Sequence, residues 1–191
     1  LSIYDRDLIG IDPYDPILPL DMKLKIILER KRNPWHWLRE GCRIPMDGKP
    51  IAIGGGSMFL IDRNSCASWY LFLNCIDHYA SKPRQCGKTF AAMVVLCWIL
   101  YFGGKNTEIL LTAQNDKKCN DNMNRIKVLR DSLPKYLILK NTKDRDGSEL
   151  VDFKLLGNNI MKTTCGTSDE TADGKGRGLS VPVLQMDEHA F

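Results

Sequence analysis

Apolar residues fall into a few continuous runs and one helical stripe, and each predicts an element. Phe90 to Phe102 is apolar at all thirteen positions. That length suits a buried helix better than a strand, and the run directly follows Gly87-Lys88-Thr89. Gly103-Gly104 beyond it reads as a helix cap. Shorter runs at 108–113 (EILLTA) and 181–186 (VPVLQM) predict buried strands. Residues 76–81 (IDHYAS) are a further candidate strand, with His78 read as a structural histidine near its end. Met123, Ile126, Leu129 and Leu133 recur at helical spacing and predict an exposed amphipathic helix stopped by Pro134. Residues 65–75 read as another helix. Apolar residues on both sides of Gly157-Asn158-Asn159 signal a hairpin. Strand, helix, strand, helix, strand is the order of an α/β protein with a largely parallel sheet.

The first part of the chain has a different texture. Residues 1–20 carry four aspartates and three prolines and read as an extended arm. Residues 21–32 predict a short basic helix with Asp21 as its N-cap. Trp35, Trp37 and Leu38 are the expected anchors of this region. Residues 21–49 hold eight basic and four acidic side chains, the pattern of a solvated helix face or a DNA contact. The run Gly54-Gly55-Gly56-Ser57 reads as a flexible joint. It divides an N-terminal attachment, 1–57, from a main domain, 58–191.

Composition narrows the class. The 191 residues are 43% hydrophobic and 26% charged, as in globular proteins. The net charge of +4 permits nucleic-acid contact without requiring it. The thirteen-residue apolar run is too short to cross a bilayer. Seven cysteines, none with C-x-x-C spacing, argue against a zinc site and read as free thiols in a reducing compartment. The start at Leu1 and the motif running to Phe191 lead to the expectation of a longer parent protein.

The chemistry concentrates in three stretches. Residues 82–89, KPRQCGKT, end as a phosphate-binding loop ends but carry Lys82 where the usual pattern has Gly. A helix N-terminus offers unpaired N–H groups and partial positive charge to phosphate. Gly87 permits close approach, Lys88 reaches the β- and γ-phosphates, and Thr89 ligates Mg²⁺. About a hundred residues later the strand at 181–186 runs into Asp187-Glu188. There Asp187 can hold Mg²⁺, and Glu188, pointing the other way, can activate water. Between them lies a glycine-rich loop, residues 166–180, expected at the carboxyl edge of the sheet. Its Arg177 reads equally as a solvated arginine or as an arginine finger.

These stretches together resemble the ATPase domain of the large terminase subunit of tailed bacteriophages. The likeness rests on RQCGKT, LQMDEHAF and GRGLS, with EILLTAQNDKKCNDNMNRIKVLRDSLP similar to that family's second strand and following helix. It covers roughly residues 58–191; NPWHWLREGCRIP resembles the family's lid region more loosely. The resemblance implies a RecA-like (ASCE) P-loop NTPase with a mostly parallel sheet flanked by helices. It implies ATP and Mg²⁺ as cofactors and the motor that packages double-stranded DNA into a procapsid.

By the same resemblance, residues 84–89 (Arg84, Gln85, Cys86, Gly87, Lys88, Thr89) bind nucleotide, and Thr89 and Asp187 hold the metal. Glu188 is the catalytic carboxylate. Arg84 senses the γ-phosphate, and Arg177, eleven residues before Glu188, acts as a finger, possible in trans. The implied partners are DNA, the portal protein, the small terminase subunit and further copies in a ring, a pentamer in the family. The implied location is the host cytoplasm at the procapsid portal, with no membrane.

The chain departs from the family at Pro83, where a small residue is usual, and it lacks a clear adenine-reading Gln before the loop. The family's nuclease domain would lie beyond Phe191. Two other readings remain open on the residues: another P-loop DNA translocase or helicase, and a non-catalytic nucleotide-binding assembly protein.

Overall fold

The computed structural model describes residues 4–44, 57–58, 62–77, 88–138, 141–164 and 182–187. Its centre is a four-stranded mixed sheet with helices packed against it. The strands are β3 (Glu108–Ala113), β4 (Leu150–Phe153), β5 (Asn158–Thr164) and β6 (Val183–Asp187). Their order is β4-β5-β3-β6. β3 pairs in parallel with both β5 and β6, and β4 pairs antiparallel with β5. The sheet is therefore only partly parallel, against the expectation of a mostly parallel one. The antiparallel element is the hairpin that the Gly157 region signalled. Gly157 takes a φ of +70° there, a conformation that glycine adopts at little cost. Asn158 and Asn159, expected in the turn, belong to β5 instead.

The buried strand at 108–113 is present as β3, with every residue after Glu108 buried. β6 differs from expectation. Among the described residues it lies at the sheet edge, and Leu184 and Met186 are about half exposed. Ile76 and Asp77, from the candidate strand at 76–81, are not in a strand. The rest of that segment lies outside the described residues.

The all-apolar run forms α4 (Lys88–Trp98), followed by a π-helical turn, Ile99–Gly103. Met93, Val94, Val95, Leu96, Cys97 and Leu100 are buried, as a helix apolar on all sides must be. Gly104 has an extended φ of −80°, so the glycine pair is not a left-handed cap. Its role is close approach. A Cβ at Gly103 would collide with the Trp98 indole, and one at Gly104 would lie 2.6 Å from the Ile99 carbonyl oxygen. The stripe helix is α5 (Asp116–Asp131), capped by Asn115, whose side chain accepts from the Lys118 N–H. Met123, Ile126 and Leu129 are buried along one face. The helix read at 65–75 is α3 (Arg63–Leu73), capped by Asp62.

The N-terminal region is folded onto this body. β1 (Arg43–Ile44) and β2 (Ser57–Met58) form a separate two-stranded antiparallel ladder. α1 (Leu20–Arg32) has Pro19 at its cap position; Asp21 sits in the first turn and does not cap. The stretch before it is not an extended arm throughout. A 3₁₀ turn spans Arg6–Leu8, and Tyr4, Leu8 and Leu18 are buried in the same apolar cluster as Met93 and Ile160. α2 (Pro34–His36) runs into a π turn, Trp37–Gly41.

Trp37 and Leu38 anchor this region as expected. Trp37 is fully buried, and its indole N–H donates to the Val94 carbonyl at 3.0 Å. In return Trp98 Nε1 donates to the Arg30 carbonyl at 2.7 Å. The basic residues of α1 are not all solvated. Arg30 is completely buried, its guanidinium over the rings of Trp37 and Phe102, with no hydrogen-bond partner among the described residues. A Cβ at Gly41 would strike that guanidinium.

Candidate functional site

Because β5 and β6 both run parallel to β3, their carboxyl ends meet along one edge. The register sets Ala113 beside Thr164 on one side and beside Asp187 on the other. Three connections leave from this edge: Gln114-Asn115 into α5, the chain after Thr164, and the chain after Asp187. In open α/β sheets this edge is where ligands bind.

α4 runs opposite to the strands. Its last turn is tied to the amino edge by Asn158, the first residue of β5. Asn158 Nδ2 donates to the carbonyls of Ile99, Leu100 and Gly104 at 2.9 to 3.1 Å, and its Oδ1 accepts from the Thr107 N–H at 2.9 Å. The helix and its π turn together span roughly 24 Å at 1.5 Å per residue, against roughly 20 Å for β3. The N-terminal residue of α4, Lys88, therefore stands toward the carboxyl edge. It shares a cleft with Gln185, two residues before Asp187 on β6.

That cleft lies between α3 and α4. Ser65, Ser68, Trp69 and Phe72 line one wall, and Lys88 and Ala92 are on the other. Trp69 fixes the wall by donating its indole N–H to the Ala91 carbonyl at 3.0 Å. The space is about 60 Å³, room for about two waters. Drug-sized ligand pockets run to several hundred cubic ångströms, well above this space. The α3 wall is a feature that sequence reading did not single out. Its signal was present in Ser65-Ser68 and Trp69-Phe72, two pairs at helical spacing on one face.

Beyond β5 the edge is charged. Lys162 Nζ meets Asp116 Oδ1 at 2.6 Å and Asn120 Oδ1 at 2.7 Å. The Lys162 hydrogen bond holds the Asp116 carboxyl below its ordinary range. Lys162 is thus already satisfied by Asp116 and Asn120 at the start of α5 and adds no free charge to the edge.

Of the residues expected to act, Lys88 and Thr89 open α4, and both are partly buried. Asp187 ends β6. Arg84, Gln85, Cys86, Gly87, Arg177 and Glu188 lie outside the described residues. The segment carrying Arg177 starts at the carboxyl edge, after Thr164, and re-enters β6 at the amino edge. The sheet thus brings the two ends of the expected site, the start of α4 and the end of β6, to the same side. Among the described residues no cluster of three or more His, Cys, Asp or Glu could hold a metal ion. No helix there is long and apolar enough to cross a membrane.

The five described cysteines, Cys42, Cys66, Cys75, Cys97 and Cys119, are unbridged. Burial pushes the Cys42 thiol well up and that of Cys97 to about 12. Both are inert thiols at neutral pH. No protein-family model matches the chain, and no curated protein matches it either.

Proposed function

We propose that this chain is a Mg²⁺-dependent, P-loop-type ATPase and the motor portion of a phage large terminase, which drives double-stranded DNA into a procapsid. One observation carries the reading. The helix that begins Lys88-Thr89 and the strand that ends at Asp187 approach the same edge of the sheet, as a phosphate helix and a Mg²⁺ carboxylate must. The order of the two motifs and the Arg-Gly dipeptide before the acidic pair support the terminase assignment over other P-loop motors.

In this reading Lys88 takes the β- and γ-phosphates, and Thr89 with Asp187 holds Mg²⁺. Glu188 orients the attacking water. Arg84 and Arg177 neutralise charge that develops on the transferred phosphoryl group. Catalysis is then positioning and electrostatics. DNA, a portal, a small terminase subunit and a ring of copies are the partners that follow from it. The test is Glu188→Gln. ATP binding should persist while hydrolysis falls by about 10²-fold or more. Normal turnover in that variant would overturn the mechanism.

A further inference from the structure

α1 has two apolar faces, and only one is used. Ile26 and Arg30 face inward and are fully buried, with Met22 and Ile27 packed against the same cluster. On the other side Leu20, Leu24 and Leu28 recur every fourth residue and are 73%, 52% and 51% exposed. Ile17, 86% exposed, precedes them. A single exposed leucine needs no explanation, but a line of them along one helix marks a contact surface.

We propose that this stripe joins two copies of the chain, packed antiparallel through α1. The helix carries its own electrostatic complement. Asp21 lies in its first turn and Arg32 is its last residue. At 100° per residue the two project from the same flank of the leucine line. Neither has an ion-pair partner among the described residues. An antiparallel pair sets Leu24 of each copy against Leu28 of the other and brings Asp21 close to Arg32 at both ends. A parallel pair would instead stack Arg32 on Arg32 and Lys31 on Lys31. Charge therefore selects both the second copy as occupant and the antiparallel sense.

Four apolar side chains on each copy cover less than the roughly 800 Å² per partner of a standard interface. The dimer is accordingly weak, with dissociation in the micromolar range or above. Sedimentation velocity on the full chain between about 1 and 200 µM reads it directly. The wild type should pass from monomer to dimer. Leu24→Glu, which buries an unpaired charge in the seam, should weaken association at least tenfold. Asp21→Arg should weaken it as well, and the double variant with Asp21→Arg and Arg32→Asp should restore it. Circular dichroism confirms that each variant is folded. A wild type that stays monomeric, a dimer untouched by Leu24→Glu, or a charge swap that fails to restore association overturns the proposal.

Discussion

Asn158 Nδ2 donates to the main-chain oxygen of Leu100 at 3.0 Å, joining the first residue of β5 to the π turn that ends α4. The same side chain also bonds the carbonyls of Ile99 and Gly104 and accepts from the Thr107 N–H, so it pairs backbone groups at a helix end. It also sets the direction of α4 across the sheet, and so which edge Lys88 faces.

Removing that amide takes the Asn158 partner from the carbonyls of Leu100 and Gly104 and from the Thr107 N–H, while the Ile99 carbonyl keeps the Gly104 N–H. Asn158→Ala should therefore cost about 2–4 kcal/mol, more than one ordinary hydrogen bond. Asn158→Asp should cost at least as much, because a carboxylate would face three carbonyl oxygens. Urea denaturation reads both.

The junction between the N-terminal helices and α4 rests on Trp37. Trp37→Phe keeps most of the apolar contact and loses only the indole bond to the Val94 carbonyl, which retains its helical partner, and should cost about 0.5–1.5 kcal/mol. Trp37→Ala opens a cavity as well and should cost about 3–5 kcal/mol. Thermal unfolding followed by tryptophan fluorescence would need a second probe here, so circular dichroism is the measurement.

His36 is fully buried and neither ring nitrogen has a hydrogen-bond partner among the described residues. Burial, with the Arg30 charge adding to it, pushes its pKa down to about 3. The folded protein keeps the ring neutral where the unfolded chain, near 6.5, takes up a proton. Stability is thus full above about pH 6.5 and is lost as pH falls from there towards 3, by roughly 3 kcal/mol at pH 4. His36→Phe should flatten that part of the stability profile. An unchanged acid slope would contradict a buried neutral histidine.

Arg30 carries a buried charge whose compensation, among the described residues, is two aromatic faces. Contacts of that kind return about 2 kcal/mol when desolvated, less than the several kcal/mol that burial costs. Arg30→Met should therefore stabilise the fold, by about 1–3 kcal/mol. A loss of stability on that substitution would show that the guanidinium has an anionic partner.

These residues also mark what was legible in the chain. α3, α4, α5 and β3 were readable because burial writes a period into the sequence: thirteen apolar residues in a row, or Met123, Ile126 and Leu129 on one side. Arg30 was not. Its place on the core face of α1 is decided by Trp37 and by Phe102, the latter distant in sequence, and local charge read it as solvated. Asn158 looked like turn chemistry because it follows Gly157. Its work is done on α4, more than fifty residues away. The antiparallel partner of β5 was visible as a hairpin, yet alternation of strands and helices had suggested a sheet more parallel than the one formed. The candidate site was legible as two motifs, at residues 82–89 and 187–188. The shared edge that brings their ends together is a matter of strand register, which no local pattern records.

The central claim is that Lys88, at the start of α4, takes the phosphates of ATP. Calorimetric titration of the chain with ATP in the presence of Mg²⁺ tests it most directly. It does not require the chain alone to turn over. The wild type should bind, and Lys88→Ala should weaken binding at least tenfold, since one charge-assisted contact is worth about 1.5–3 kcal/mol. Absence of binding in the wild type, or equal binding by Lys88→Ala, would contradict it.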